Sequence, residues 1–324
     1  MNAPSLLYLS RADVEALALP MTAVIAAVEE ALREHGEGRS EMPPKPGVHP
    51  GGDAFIHAMP ALLPGIGAAG LKWVSGFPAN KERGLPYISG LMVLNDVETG
   101  FPVAVMDCTW ITGARTGAAT AVAARHLARP DASTAGILGC GVQGRTNAEA
   151  LAALFPLERL HAYDLHPERA RVYAREMAAR LGVRAVAVDT PEAAVRGMDL
   201  VVTAGPILKE PSPTIPAGWL EPGAFACPLD FDSYWTPEAL GQVDRLATDD
   251  RRQLAYYRSV GYFARTPEPC ADLGEIVTGR APGRTSPRER TLSLNLGLAI
   301  EDVAVARLLY RRALEAGAGT RLPL

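Results

Sequence analysis

Three glycines, Gly139, Gly141 and Gly144, stand between a short apolar run, Ala135 to Leu138, and an alanine-rich segment that begins at Asn147. That order is strand, turn, helix, and the glycines have separate roles. Gly139 permits the tight turn, Gly141 lets backbone approach a pyrophosphate, and Gly144 lets the helix pack on the strand. Phosphates would then meet the unpaired N–H groups and the positive dipole end of the helix. A second strand-like run, Leu160 to Tyr163, leads to Asp164, 20 positions beyond Gly144. An acid there accepts hydrogen bonds from a ribose hydroxyl. The spacing implies dinucleotide binding; unless it is only the N-cap of the helix that begins at Pro167, Asp164 repels a 2′-phosphate and so favours NAD, while Arg145 and His166 leave NADP open.

Candidates for substrate chemistry are cations in unusual places. Lysine is scarce, occurring only at positions 45, 72, 81 and 209. Lys72 lies inside an apolar strand, Gly70-Leu-Lys-Trp-Val, where a buried ammonium needs an anion or a wet cleft. The alternative is a side chain turned to solvent from a one-sided sheet. Arg115 has small neighbours, Gly113, Ala114, Thr116 and Gly117, that leave room for a carboxylate at its guanidinium fork, or else it forms a salt bridge at a domain junction. Lys45 is a lone cation in a stretch dense in proline and glycine. Asp230 and Asp232 follow an apolar run at i, i+2, a spacing that in a strand turns both the same way, or they merely cap its end. His57 and Trp73 flank the candidates, His57 being more readily a satisfied sheet histidine than a catalytic one.

These residues need elements to hold them. Residues 11–34 read as two amphipathic helices broken near Pro20, and 41–52 as extended or looped because its prolines forbid a helix. Runs at 54–60, 68–75, 87–95 and 102–107 alternate with turn residues and imply a mainly antiparallel sheet. Residues 110–128 form a small-residue helix that leads into the glycine turn. Strand-like and helix-like runs then alternate to Asp232, the pattern of a parallel doubly wound sheet, so the fold class is α/β. The tail from Arg290 to Tyr310 reads as one long helix.

At 324 residues, 48% hydrophobic and with a net charge of −4, the chain is long enough for two domains and has neither the composition of a disordered protein nor the basic balance of a nucleic-acid binder. No apolar run approaches the roughly 20 residues of a membrane span and no signal peptide is evident, so a cytoplasmic protein is expected. The four cysteines and six histidines show no metal-ligand spacing, and no metal is expected.

Several segments resemble the ornithine cyclodeaminase/mu-crystallin family: Leu71-Lys-Trp-Val-Ser-Gly-Phe-Pro78, Asp96-Val-Glu-Thr-Gly-Phe-Pro102, Thr112-Gly-Ala-Arg-Thr-Gly-Ala-Ala-Thr-Ala121, Leu138-Gly-Cys-Gly-Val-Gln-Gly144 and Glu275-Ile-Val-Thr-Gly-Arg-Ala-Pro-Gly283. The resemblance implies a Rossmann domain, 117–298, and a discontinuous substrate-binding and dimerisation domain, 1–116 with 299–324, forming a homodimer through its sheet. It implies hydride exchange between NAD(P) and the α-carbon of an amino or imino acid. Lys72 and Asp232 are then catalytic, Lys45, Arg115, His57 and Trp73 bind substrate, and Thr116, Gly139, Gly141, Val142, Gln143, Gly144 and Asp164 bind cofactor. His57 stands where the cyclodeaminase carries a glutamate for the distal amine, and a histidine supplies no fixed negative charge. The implied activity is therefore that of an alanine-dehydrogenase-like enzyme or an imine reductase, with ornithine cyclodeamination and a non-catalytic mu-crystallin-like binding role as alternatives.

Overall fold

Proline and glycine set the borders of the first elements. In the computed structural model, which describes residues 5–51 and 54–324, Ser5–Leu9 forms β1 and Ser10 caps α1, Arg11–Ala16, by accepting from Asp13 N. Pro20 starts α2, Met21–Gly36, whose Val24, Ile25, Val28, Ala31 and Leu32 make one buried stripe at helical spacing. The stretch 41–52 supplies β2, Gly47–Gly51; its last residue, Gly52, lies outside the described residues. There follow β3, Ala54–Leu63, β4, Ala68–Gly76, β5, Ile88–Asn95, β6, Pro102–Asp107, and α3, Thr109–Leu127. The second half adds β7, Thr134–Leu138, α4, Val142–Ala152, β8, Arg159–Tyr163, α5, Pro167–Leu181, β9, Arg184–Ala187, α6, Pro191–Val195, β10, Leu200–Thr203, and β11, Phe225–Pro228. It ends with α7, Pro237–Gly241, β12, Arg245–Thr248, α8, Arg251–Ser259, β13, Ala271–Asp272, α9, Leu273–Val277, β14, Thr291–Leu294, α10, Ala299–Ala316, and β15, Thr320–Pro323.

The chain divides into two units, Met1–Arg115 with Leu298–Leu324, and Thr116–Gly297. The first holds a seven-stranded sheet in the order β15-β1-β6-β5-β4-β3-β2. All of its pairings are antiparallel except β1 with β6. α10 packs on β3, β4, β5 and α2, and everything from Ala299 to Ala306 is buried. The strands under it alternate as a one-sided sheet must: in β4, Lys72 and Val74 are buried while Trp73 between them is 47% exposed.

The second unit holds eight parallel strands, β13-β12-β14-β11-β10-β7-β8-β9. From β9 to β11 this is the 3-2-1-4-5 order of the doubly wound fold, whose direction of winding reverses between β7 and β10. The expected long tail helix is corrected here. Thr291–Leu294 is a strand, inserted between β11 and β12, and the helix starts only at Ala299 after Gly297 takes a positive φ of 81°. Every residue of β14 is buried, so its short apolar run carries no alternation by which to tell strand from helix. A second correction concerns Asp230 and Asp232: β11 ends at Pro228, and Phe231 has a left-handed φ of 61°, so the two acids lie on a turn and not on one strand face.

Trp235 follows that turn, 2% exposed within the apolar core of the second unit, its indole Nε1 donating to Thr203 Oγ1 at 3.3 Å. This residue belongs to the core. Trp235→Ala is expected to cost about 3–5 kcal/mol by leaving a large cavity. Urea unfolding reads this directly, and a change below about 1 kcal/mol would show that the site collapses or was never tightly packed.

Candidate functional site

In the first unit the sequence candidates Lys72 and Arg115 meet two acids from α10. α3 is buried on all sides from Gly113 to Ala124, which is why its residues are small and why Arg115, 7% exposed, must find counter-ions. Its Nη1 donates to Glu301 Oε2 at 2.9 Å and its Nε lies 3.2 Å from Asp302 Oδ1. Lys72 Nζ, reaching up from β4, lies 2.6 Å from the other Asp302 oxygen. Lys72 is 1% exposed, and Glu301 and Asp302 are fully buried. Burial pushes the Lys72 ammonium below its ordinary range and Asp302 opposes that shift; burial likewise pushes Glu301 up against the pull of Arg115. Beside them the Cys108 thiol is pushed to about 11, chiefly by burial, and stays neutral.

His57 lies on the same face of the sheet. It is paired across from Val74, two residues along β4 from Lys72, and its ring stacks on Phe55 at 4.4 Å. A Cβ at Gly47, its neighbour on β2, would come within 2.3 Å of the His57 ring, so glycine there is what lets the imidazole lie flat on the strand. Burial first, and then the nearby charges of Lys45, His49 and Lys72, lower its pKa to about 4. Lys45 itself is 9% exposed. Trp73 departs from expectation: it points to the opposite face of β4 from Lys72, beside Leu91 of β5, and both are about half exposed. Strand alternation makes adjacent residues unable to serve one side.

The glycine turn of the second unit sits at the C-terminal ends of the central strands. Gly139 N donates to Tyr163 O and Ala204 N to Leu138 O, tying the ends of β7, β8 and β10 together. Gly139 has a φ of 104°, and a Cβ at Gly144 would come within 2.3 Å of Gly139 O. Gly141 differs, having nothing within 4 Å of where its Cβ would be. It is the N-cap of α4 and offers no side-chain hydrogen bond to the first turn, whose N–H groups stay available to an anion. Val142 is 63% exposed, and the buried Gln143 Oε1 has no hydrogen-bond partner among the described residues. Open space, an uncapped helix start and an orphaned acceptor fit a dinucleotide. Asp164 flanks the turn, accepting from Cys140 N at 3.0 Å and from His166 N at 2.9 Å. Arg145 is occupied by Glu176, at 2.8 Å and 2.7 Å, and by Cys140 O. Thr116, just inside this unit on α3, is 8% exposed.

On the turn after β11 the two acids have separate surroundings. Asp230, fully buried, accepts from Thr203 Oγ1 at 2.8 Å and Gly205 N at 3.1 Å, and burial raises its pKa to about 7. Asp232 accepts from Thr266 Oγ1 at 2.9 Å and is 6% exposed. Asp230 thus pins the loop after β10, and Asp232 is the better candidate for proton exchange. Sequence reasoning missed Glu301, Asp302 and Thr266. The acids had a signal: two adjacent carboxylates in an otherwise apolar helix turn, in a chain with two cations in apolar segments. Among the described residues, no cluster of three or more His, Cys, Asp or Glu side chains could hold a metal, and no helix is long and apolar enough to cross a membrane.

The family model described as "Ornithine cyclodeaminase/mu-crystallin family" matches residues 6–317. An alanine dehydrogenase of Archaeoglobus fulgidus is 37% identical over 325 residues, with 98% of each chain covered. Among solved structures, the chain is similar to a Delta(1)-pyrroline-2-carboxylate reductase of Thermococcus litoralis in complex with NADH and L-proline, with a TM-score of 0.88 and 34% identity, covering 97% of this chain and 99% of that one. It is equally similar to an archaeal alanine dehydrogenase dimer with bound NAD, with a TM-score of 0.88 and 35% identity, covering 98% and 99%.

The depressed pKa of His57 has a stability consequence with a definite sign. Between about pH 4 and the ordinary value of 6.5, the unfolded chain binds a proton that the folded chain does not. The stability contributed is therefore full above pH 6.5 and is lost as pH falls toward 4. His57→Gln should lose less stability than the wild type between pH 6.5 and 4.5 in urea titrations; parallel curves would rule this out.

Proposed function

We propose, because the chain belongs to the ornithine cyclodeaminase/mu-crystallin family, that it is an NAD-dependent oxidoreductase acting at the α-carbon of an amino or imino acid, like alanine dehydrogenase or an imine reductase. The observation that carries the reading is the uncapped start of α4, set at the ends of β7, β8 and β10 with Asp164 beside it. Relatives that span nearly the whole chain supply the substrate class: one acts on alanine and another was captured with NADH and L-proline. When bound, the nicotinamide supplies or accepts the hydride. Gly141, Val142, Gln143 and the first turn of α4 hold its pyrophosphate, Gly139 and Gly144 shape the turn, Thr116 adds a hydroxyl, and Asp164 takes the ribose. Glu176 keeps Arg145 from a 2′-phosphate, which favours NAD over NADP.

Lys72 and Arg115, with Lys45, take the substrate carboxylate. Orientation of this kind is worth several orders of magnitude in rate. Asp232 exchanges the proton at the substrate nitrogen, and neutral His57 lines the side-chain end without offering the charge that a distal amine would need. The half-exposed Trp73 and Leu91, in register on β4 and β5, form the face through which two copies pair. A reducing compartment such as the cytoplasm suits four cysteines that are all unbridged.

The test is a panel screen at 340 nm: L-alanine, L-proline and ornithine with NAD⁺ or NADP⁺, and pyruvate with ammonia or Δ1-pyrroline-2-carboxylate with NADH. Turnover of an α-amino or α-imino acid is expected. Ornithine converted to proline and ammonia without accumulating NADH would replace the reading by cyclodeamination, and no turnover at all would leave a binding protein. Lys72→Ala and Asp232→Ala should each lower kcat/KM by about 100-fold or more while NADH fluorescence titrations stay unchanged. Gly141→Ala should do the reverse to binding: its φ of −86° and open surroundings leave the fold intact, but the added methyl stands where the pyrophosphate approaches, so NADH affinity should drop at least tenfold without a change in urea midpoint.

A further inference from the structure

The cations read as a carboxylate clamp already have carboxylates on them. Asp302 is the bridging member, one oxygen facing Lys72 Nζ at 2.6 Å and the other Arg115 Nε at 3.2 Å, while Glu301 takes Arg115 Nη1 at 2.9 Å. We propose that Asp302 and Glu301 are the positioning residues of this site: Asp302 holds Lys72 charged and sets its distance from Arg115, and Glu301 fixes the outer arm of the guanidinium. The substrate role of the two cations rests on the function proposed above; the counter-ion role does not.

Two observations and one general argument support the assignment. First, Lys72 lies on the buried parity of β4 with Met59 and Met92 directly across on β3 and β5, so its strand neighbours offer no charge. An ammonium in that setting is retained only against a nearby anion. Second, the groups that do act on Lys72 are few. Asp302 from α10 favours the charged form, Arg115 from α3 opposes it, and Cys108 is a neutral thiol. His57 on β3 is neutral too, and Lys45 beside it is a further cation. Asp302 is therefore the anion that decides whether Lys72 carries a proton. Third, a buried ion pair of this kind adds little net stability compared with apolar residues of equal volume. Its worth lies in holding two cations at a set separation, with Asp302 as the spacer.

The chain has only four lysines, so 13C NMR of the lysine ε-carbons reads Lys72 directly, with Lys72→Arg assigning its signal. Asp302→Asn should move the Lys72 titration midpoint at least one unit toward acid, a tenfold loss of proton affinity. In the same variant, kcat/KM for the best substrate of the panel should fall at least tenfold on the alkaline side and recover as pH is lowered. Lys72→Arg placed in the Asp302→Asn background should abolish that alkaline loss, because a guanidinium stays charged. An unmoved NMR midpoint, or a loss of activity equal at all pH values, overturns the proposal. The NMR arm needs no turnover, so a panel that shows no substrate defeats the functional reading and leaves this one to stand or fall by itself. If Asp302→Asn does not fold, the double variant Lys72→Met with Asp302→Leu, which removes both charges, should fold with a melting temperature near the wild type. Failure of the double variant as well would show that the shape of the pair matters and not its charge, and would overturn the assignment.

Discussion

Taking a charge out of water costs several kcal/mol even after the surroundings relax, and the first unit does this four times within one cluster. Lys72, Arg115, Glu301 and Asp302 are tolerable only together, since each is the other's solvent. Much of the unit's layout follows from bringing them into reach. The parity of β4 must place residue 72 under α10, α3 must be thin enough for residue 115 to approach, and α10 must present adjacent acids in its first turns. The small residues around Arg115 and the wholly buried run Ala299–Ala306 are the packing expression of that electrostatic demand.

The second unit is built around a different feature, a helix start that no side chain caps. Its parallel strands end together at the reversal between β7 and β10, and the chain leaves β7 through a turn that only glycine permits at Gly139. What a side chain would cap is left as bare backbone N–H groups at α4. Arg145 is directed to Glu176 and to backbone carbonyls. The positive end of the helix dipole and the Asp164 carboxylate thus meet at this turn.

The sequence was most legible where a local rule has one solution. Gly139, Gly141 and Gly144 with Asp164 outlined the turn and its flanking acid, turn residues between short β-type runs outlined β3 to β6, and Pro20 separated α1 from α2. It was least legible where burial is complete on both sides: β14 was indistinguishable from the start of a helix because nothing in Thr291–Leu294 faces water. The expected side of Trp73 and the expected shared strand face of Asp230 and Asp232 were overturned for related reasons. Trp73 was expected to flank the site beside Lys72 and the i, i+2 spacing to turn the two acids the same way, but strand alternation put Trp73 opposite Lys72, and the left-handed Phe231 gave the two acids different partners. Glu301 and Asp302 were the largest omission. Their partners lie 186 and 230 positions earlier, a separation that no local pattern spans.

That separation also bears on how the protein is made. Residues 116–297 form one uninterrupted unit, whereas the other unit is begun before it and finished after it. Chains emerge from the ribosome N-terminus first, and domains generally fold as units. The seven-stranded sheet therefore waits, its β1 still lacking the partner strand β15 and its Lys72 lacking the carboxylate of Asp302, while the parallel unit is synthesised and completed. Vectorial synthesis thus imposes an order of assembly. The parallel unit matures first, and the half that holds the buried charges closes only when the segment from Leu298 to Leu324 arrives.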